Sequence, residues 1–134
     1  IQRLRPGDPV WLRGPLGHGF RPGPEPMIGV AGGYGVSPIH FLAARLNDGR
    51  ERHVIIGART ARDLLFAERF RAAGVQVHLC TDDGSAGVKG VVTVPLRPLL
   101  AALPEATIYA CGPTPMLQAI SAICREQQRA CQLS

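Results

Sequence analysis

Gly32, Gly33 and Gly35 fall within four residues of one another in the stretch MIGVAGGYGVSP, residues 27–38. Lacking a Cβ, each can take backbone angles closed to other residues and let a ligand approach the main chain closely. Pro38 stands where the first turn of a helix would run, and there a missing N–H leaves nothing unsatisfied. The free N–H groups and positive dipole end of such a helix favour an anion above the turn. A nucleotide pyrophosphate matches that chemistry. The spacing, however, is G-G-x-G-x-x-P and not G-x-G-x-x-G, so on this stretch alone a purely structural turn stays open.

Other side chains capable of chemistry are spread along the chain. Arg59 follows an apolar run, where its guanidinium could fork onto a pyrophosphate; the alternative is a solvated arginine. Asp82 and Asp83 can accept hydrogen bonds from ribose hydroxyls and repel a 2′-phosphate, which favours NADH over NADPH. Asp-Gly is equally a turn signal, so one aspartate is expected in each role. Cys111, Gly112 and Pro113 close another apolar run at a helix start, and a free cysteine is most often a small buried hydrophobe. Met116 reads as core. His40, His53 and His78 stand singly in periodic segments and read as surface or core residues, and Ser37 has no visible His/Asp partners for hydrolysis.

Positioning these residues requires alternating strands and helices. Residues 27–30 are consecutively apolar, as in a strand buried on both faces. Ile39, Leu42, Ala43 and Leu46 recur at helical spacing and Asn47-Asp48-Gly49 ends that helix. Further strands are expected at 53–56, 75–80 and 107–110, with a fifth beginning at 131–133. Helices are expected around Phe66, Phe70 and Ala73, over 95–103, and around Met116, Ile120 and Ile123, with a loop at 81–90. Short links between alternating elements predict an α/β fold, a doubly wound, mostly parallel five-stranded sheet with helices on both faces. The irregular stretches 32–35, 57–59, 81–85 and 111–113 then share the carboxyl edge of the sheet, where such sheets bind ligands. Residues 1–25 differ: Val10-Trp11-Leu12 reads as a short strand, GPLGHGF as a glycine-punctuated loop, and RPGPEP as a linker whose prolines forbid helix.

With 134 residues the chain has the size of one domain. Its 46% hydrophobic and 19% charged residues are those of a globular protein, and its 16 Gly and 12 Pro fall mostly between periodic segments. The net charge of +5 comes from 15 Lys+Arg, of which 14 are Arg, against 10 Asp+Glu. These arginines are dispersed and aromatic residues make up only 5%, so nucleic acid is not the expected partner; that reading would require steeply salt-dependent binding. Cys80, Cys111, Cys124 and Cys131 form no C-x-x-C pair, which excludes a compact zinc or iron–sulfur motif and fits reduced cytoplasmic thiols. No run reaches the length of a membrane span and no signal peptide is visible. A start at Ile1 and a stop at Ser134 in apparent mid-strand read as a fragment.

GPLGHGF, VAGGYGVSP, GART, TDDGSAGVKGVVT and YACGPTPML together resemble, in order and spacing, the electron-transfer subunits of two-component dihydroorotate dehydrogenases, within the ferredoxin-reductase family. TDDGS-x-G-x-K-G with CGP-x-x-M is the most specific part; Tyr34 departs from the usual aliphatic residue, and His18 sits at a variable position. The resemblance implies an FAD-binding barrel ending at about residue 22, an NAD-binding domain over 23–134, and a [2Fe-2S] cluster whose cysteines would follow Ser134. The flavin-binding Arg-x-Tyr-Ser motif would precede Ile1. It further implies that Gly32, Gly33, Gly35, Pro38, Gly112 and Pro113 contact the dinucleotide and that Gly17, in the loop of the barrel segment, is also a cofactor-binding residue.

On the same footing, Tyr34 could stack on a cofactor ring or pack on the barrel lobe, and Cys111 would position the nicotinamide on the flavin without acting as a nucleophile. Hydride would pass from NADH to FAD and single electrons on to the cluster, with no metal ligated by this chain. The implied acceptor is a dihydroorotate dehydrogenase catalytic subunit in pyrimidine biosynthesis, in a cytoplasmic hetero-oligomer without membrane or nucleic-acid contacts; the fragment alone is expected to be inactive. Flavin subunits of sulfide dehydrogenase, hydrogenase and ferredoxin:NADP reductase share the motifs and remain open. So does a non-catalytic nucleotide-binding module, which would carry no flavin colour.

Overall fold

A strand with no polar alternation needs cover on both faces, and the fold supplies it. A computed structural model describes residues 3–14 and 16–134; Ile1, Gln2 and Pro15, part of the expected barrel segment, lie outside the described residues. Strand β1 (Met27–Gly32) is buried along its whole length. It is followed by a 3-10 turn (Gly33–Gly35), α1 (Val36–Arg45), β2 (Arg52–Ala58), a 3-10 turn (Ala61–Asp63) and α2 (Ala67–Ala72). Then come β3 (Gln76–Thr81), β4 (Val88–Lys89), α3 (Thr93–Ala102), β5 (Thr107–Cys111), α4 (Thr114–Glu126) and β6 (Cys131–Leu133). The six strands form one sheet in the order β4-β3-β2-β1-β5-β6. Every pairing is parallel.

Alternation along the strands sorts two cores. Met27 and Ala31 of β1, Val54 and Ile56 of β2, and Tyr109 of β5 pack with Val36, Ile39 and Leu42 of α1 and Phe70 of α2. Ile28 and Val30, Ile55, Ile108 and Ala110 pack on the other face with Leu96 and Leu100 of α3 and Ile120 and Ile123 of α4. The result is three layers with β1 at the centre. Buried Arg52 ties two helix ends together on the first face, donating to the carbonyls of Ala43 in α1 and Ala73 after α2, each at 2.9 Å. A cation at two helix C-termini also opposes their negative dipole ends.

The structure corrects the sequence expectation in three places. The sheet has six strands, because Gly87, at φ +66, turns the chain so that Val88–Lys89 pair with Cys80 and Thr81. Two residues are too few to show a strand pattern, so they read as loop. Second, the sheet is wholly rather than mostly parallel. Third, Val10-Trp11-Leu12 form no strand: among the described residues no neighbouring strand takes up their backbone groups, and Trp11 is 97% exposed. The linker after them is fastened down. Phe20 packs edge-on against Tyr109 with ring centroids 5.6 Å apart. Arg21 donates its amide to Gln132 Oε1 (2.8 Å), and Gln132 Nε2 donates to the Arg21 carbonyl (2.7 Å). Arg50 donates to the Gly23 carbonyl while its Nε donates to Asp48 (2.8 Å).

Candidate functional site

Parallel strands bring all their carboxyl ends to one edge, and the chain order reverses there between β1 and β5: β2 and β3 lie to one side of β1, β5 and β6 to the other. Sheets of this kind bind ligands at that reversal. A cleft of about 790 Å³ opens there, within the range of small-molecule sites. Its floor and walls come from Gly32 at the end of β1 with Gly33 and Tyr34 beyond it; Gly57 and Ala58 at the end of β2 with Arg59 and Asp63 beyond it; and Asp82 after β3. Residues 90–93 and Pro113, Pro115, Met116 and Ala119 complete it.

The glycines divide into two kinds. Gly33 has φ +56 and open space where a Cβ would stand, so its main chain is bare to the cleft. A Cβ on Gly35 would lie 2.0 Å from the Cys111 carbonyl oxygen, and one on Gly32 2.8 Å from Met116 Sδ. Gly112 meets Met116 in the same way, and Gly57 meets Val92. These four allow close packing around the cleft, which Gly32 and Gly57 also line; of the three turn glycines, Gly33 is the one with open space where a Cβ would stand. α1 starts immediately beyond, without a side-chain cap and with no acidic residue in its first turn; the Val36 amide is taken by the carbonyls of Gly33 and Tyr34 and Pro38 has none, so this end offers an anion its positive dipole more than free amides. Pro38 is exposed in that first turn and is not part of the lining.

Across the cleft, two loops are cross-braced. The Asp82 amide donates to Ala58 O (3.1 Å) and the Asp83 amide to Arg59 O (3.2 Å). Asp83 Oδ1 accepts from both the amide (2.9 Å) and the hydroxyl (2.6 Å) of Ser85, whose oxygen in turn accepts from the Ala61 amide (2.8 Å). Those hydrogen bonds hold the Asp83 carboxyl below its ordinary pKa and occupy it in the turn. Asp82 and Arg59 are exposed and line the cleft. Tyr34, 90% exposed, stands on its rim.

Cys111 is placed otherwise. It ends β5 half-buried on the face of α1 and α2, packed beside that core, whereas Met116 and Val92 lie on the opposite face. The structure does not bring it into the cleft. Gly17, at φ +71, is exposed in the segment before the linker and also lies outside the lining. Cys80 and Cys124 are buried, which pushes their thiols up to about 11 and about 12; the charge of Asp82 adds to the first and the neighbouring Cys131 to the second. They are inert packing groups. Among the described residues no three His, Cys, Asp or Glu side chains are grouped to hold a metal ion.

Sequence reasoning missed Met116, Val92 and Asp63 as lining residues. Met116 belongs to a helical pattern that reads as core, and Val92 falls between the expected loop 81–90 and the helix 95–103; both touch the core while also facing the cleft. The signal for Asp63 was its place three residues beyond the GART loop. His53 and His78 were expected singly, yet they stack with ring centroids 5.3 Å apart. His53 Nε2 donates to Glu51 (2.8 Å) and His78 Nε2 donates to His53 Nδ1 (3.0 Å), the neutral tautomers that satisfy both contacts. Their place near the amino end of β2 keeps them out of the cleft.

The family model for oxidoreductase NAD-binding domains matches residues 29–122. The chain is 36% identical over 135 aligned positions to a probable dihydroorotate dehydrogenase B (NAD(+)) electron transfer subunit of Methanocaldococcus jannaschii, covering all of this chain and 52% of that protein. It is 38% identical over 126 positions to the dihydroorotate dehydrogenase B (NAD(+)) electron transfer subunit of Geobacillus kaustophilus, covering 90% of this chain and 48% of that one. The chain thus spans about half the length of the curated relatives it matches. Among solved structures, an NADH-dependent reduced ferredoxin-NADP oxidoreductase superposes with a TM-score of 0.70 at 29% identity, over 82% of this chain and 40% of that one.

Proposed function

The chain belongs to the oxidoreductase NAD-binding domain family, and on that premise we propose that it is the NADH-binding part of an electron-transfer subunit. Residues 1–22 would end an FAD-binding barrel, 23–134 would form the NAD domain, and another segment would hold a [2Fe-2S] cluster. The partner would be a dihydroorotate dehydrogenase catalytic subunit, a reading supported by relatives named as electron transfer subunits of dihydroorotate dehydrogenase B, and the assembly would be a cytoplasmic hetero-oligomer. One observation carries the reading: the cleft lies where the strand order reverses, with bare main chain at Gly33 on one side and a guanidinium and a carboxylate on the other.

The residues fit a dinucleotide. The bare main chain at Gly33 and the positive dipole end of α1 would receive the pyrophosphate, with Arg59 as its counter-charge. Asp82 would accept from ribose hydroxyls, and Tyr34 with Pro113 and Met116 would offer apolar surface to a ring. Cys111 would meet the nicotinamide only over the carboxyl edge of β5, where it would limit how the ring lies. When bound, the coenzyme supplies a hydride to flavin held elsewhere, so the chain needs only to bind, orient and keep water away. The described cysteines do not fit a cluster, and no step is assigned to them.

Titrating the chain with ADP-ribose tests the binding; Arg59→Ala should weaken it about tenfold without lowering the melting temperature. No binding by the wild-type chain would overturn the proposal. For the longer polypeptide, flavin absorbance bleached by NADH and co-purification with a dihydroorotate-oxidising subunit are expected. A colourless protein would instead be a nucleotide-binding module, and a different co-purifying redox partner would move it to the sulfide dehydrogenase, hydrogenase or ferredoxin:NADP reductase class.

A further inference from the structure

The loop after β2 carries a second carboxylate into the cleft. Asp63 closes the 3-10 turn Ala61–Asp63 and lines the same cavity as Asp82. It is held there: its amide donates to the Thr60 carbonyl (3.1 Å), and the Thr60 hydroxyl donates to Asp63 Oδ2 (3.0 Å) while accepting from the Arg62 amide (3.2 Å). Oδ1 takes no hydrogen bond from any described side chain or backbone group. The Ser85 oxygen, accepting from the Ala61 amide, joins this turn to the loop that bears Asp82. The cleft is therefore walled by two acidic side chains, one from each loop, against the single guanidinium of Arg59.

We propose that Asp63 is a specificity-determining residue of the dinucleotide cleft, presenting its free oxygen to the hydroxyls of an adenosine ribose and, with Asp82, excluding a ribose that carries a 2′-phosphate. The proposal rests on the reading of the cleft as a dinucleotide site. A carboxylate accepts two hydroxyl donors but repels a phosphate that adds up to two negative charges. Since Asp83 is engaged with Ser85, it is Asp63 that joins Asp82 in this role.

Asp63→Asn tests it, because an amide oxygen can still accept from Thr60 and preserve the turn while the charge is gone. Wild-type chain and variant are titrated with ADP-ribose and with 2′-phospho-ADP-ribose. The expected result is a preference for ADP-ribose in the wild type that shrinks by about tenfold in the variant, with the melting temperature unchanged. Loss of affinity for both nucleotides in equal proportion, or a preference unchanged within about twofold, would overturn the role of Asp63 while leaving the cleft a dinucleotide site. Failure of the wild type to bind either nucleotide would remove the dinucleotide reading itself, and this inference with it. Asp63→Glu, which keeps the charge, should keep the preference.

Discussion

Single residues in the glycine turn do different work although they look alike in sequence. Gly35→Ala drives a methyl group into the Cys111 carbonyl, 2.0 Å away, and the junction of α1 with β5 must shift; a loss of about 3 kcal/mol is expected. Gly33→Ala meets no neighbouring atom, and the left-handed backbone costs about 1 kcal/mol. Its methyl group would, however, stand where the proposed function has a pyrophosphate approach. Urea unfolding should separate the two variants, while ADP-ribose titration of Gly33→Ala should show weakened binding in a protein that remains folded. The aspartates show the same division. The sequence supplies adjacent Asp82 and Asp83, and the hydroxyl and amide of Ser85 decide which one the turn consumes.

Between elements, β2 and β3 are joined on one face by more than their ladder. Burial, with the adjacent His53 a smaller cause, lowers the His78 pKa below that of a free imidazole. An unfolded chain takes up this proton near pH 6.5 and the native state resists it. Stability from this pair is therefore complete above about pH 6.5 and declines as the pH falls below it. Asp83 and Asp48, whose carboxyls are held below their usual range by Ser85 and by Arg50, titrate in more acid solution and leave that window clear. Melting temperatures measured from pH 7.5 to 5 should fall in the wild type and fall less steeply in His78→Gln. Equal slopes would mean that the pair exerts no pH control.

At the scale of the whole molecule, the linker before the sheet is clamped by Gln132, whose side-chain amide imitates a strand neighbour for Arg21. Gln132→Ala should raise the hydrogen-exchange rate of the Arg21 amide without altering protection in β1, since no core contact is lost. If the segment before the linker is the end of a flavin lobe, that clamp fixes the angle at which the lobe meets the cleft. Much of this architecture is local and hence legible in the chain. The apolar run at 27–32, the helical spacing from Ile39 to Leu46 and the glycines and prolines between elements specify strand, helix and turn by backbone restriction and hydrophobic period alone. That alternation also fixes a parallel sheet whose loops share an edge, because parallel neighbours need crossovers. Sequence could not decide which face each loop residue meets. Asp63 enters the cleft, Met116 serves the core and the cleft together, and Cys111 turns to the face of α1, because those outcomes depend on strand register and on contacts between residues far apart in the chain. The two-residue β4 and the stacked histidines were hidden for the same reason: neither has a local pattern, and the first exists only once the chain turns back along β3, the second only once β2 and β3 lie side by side.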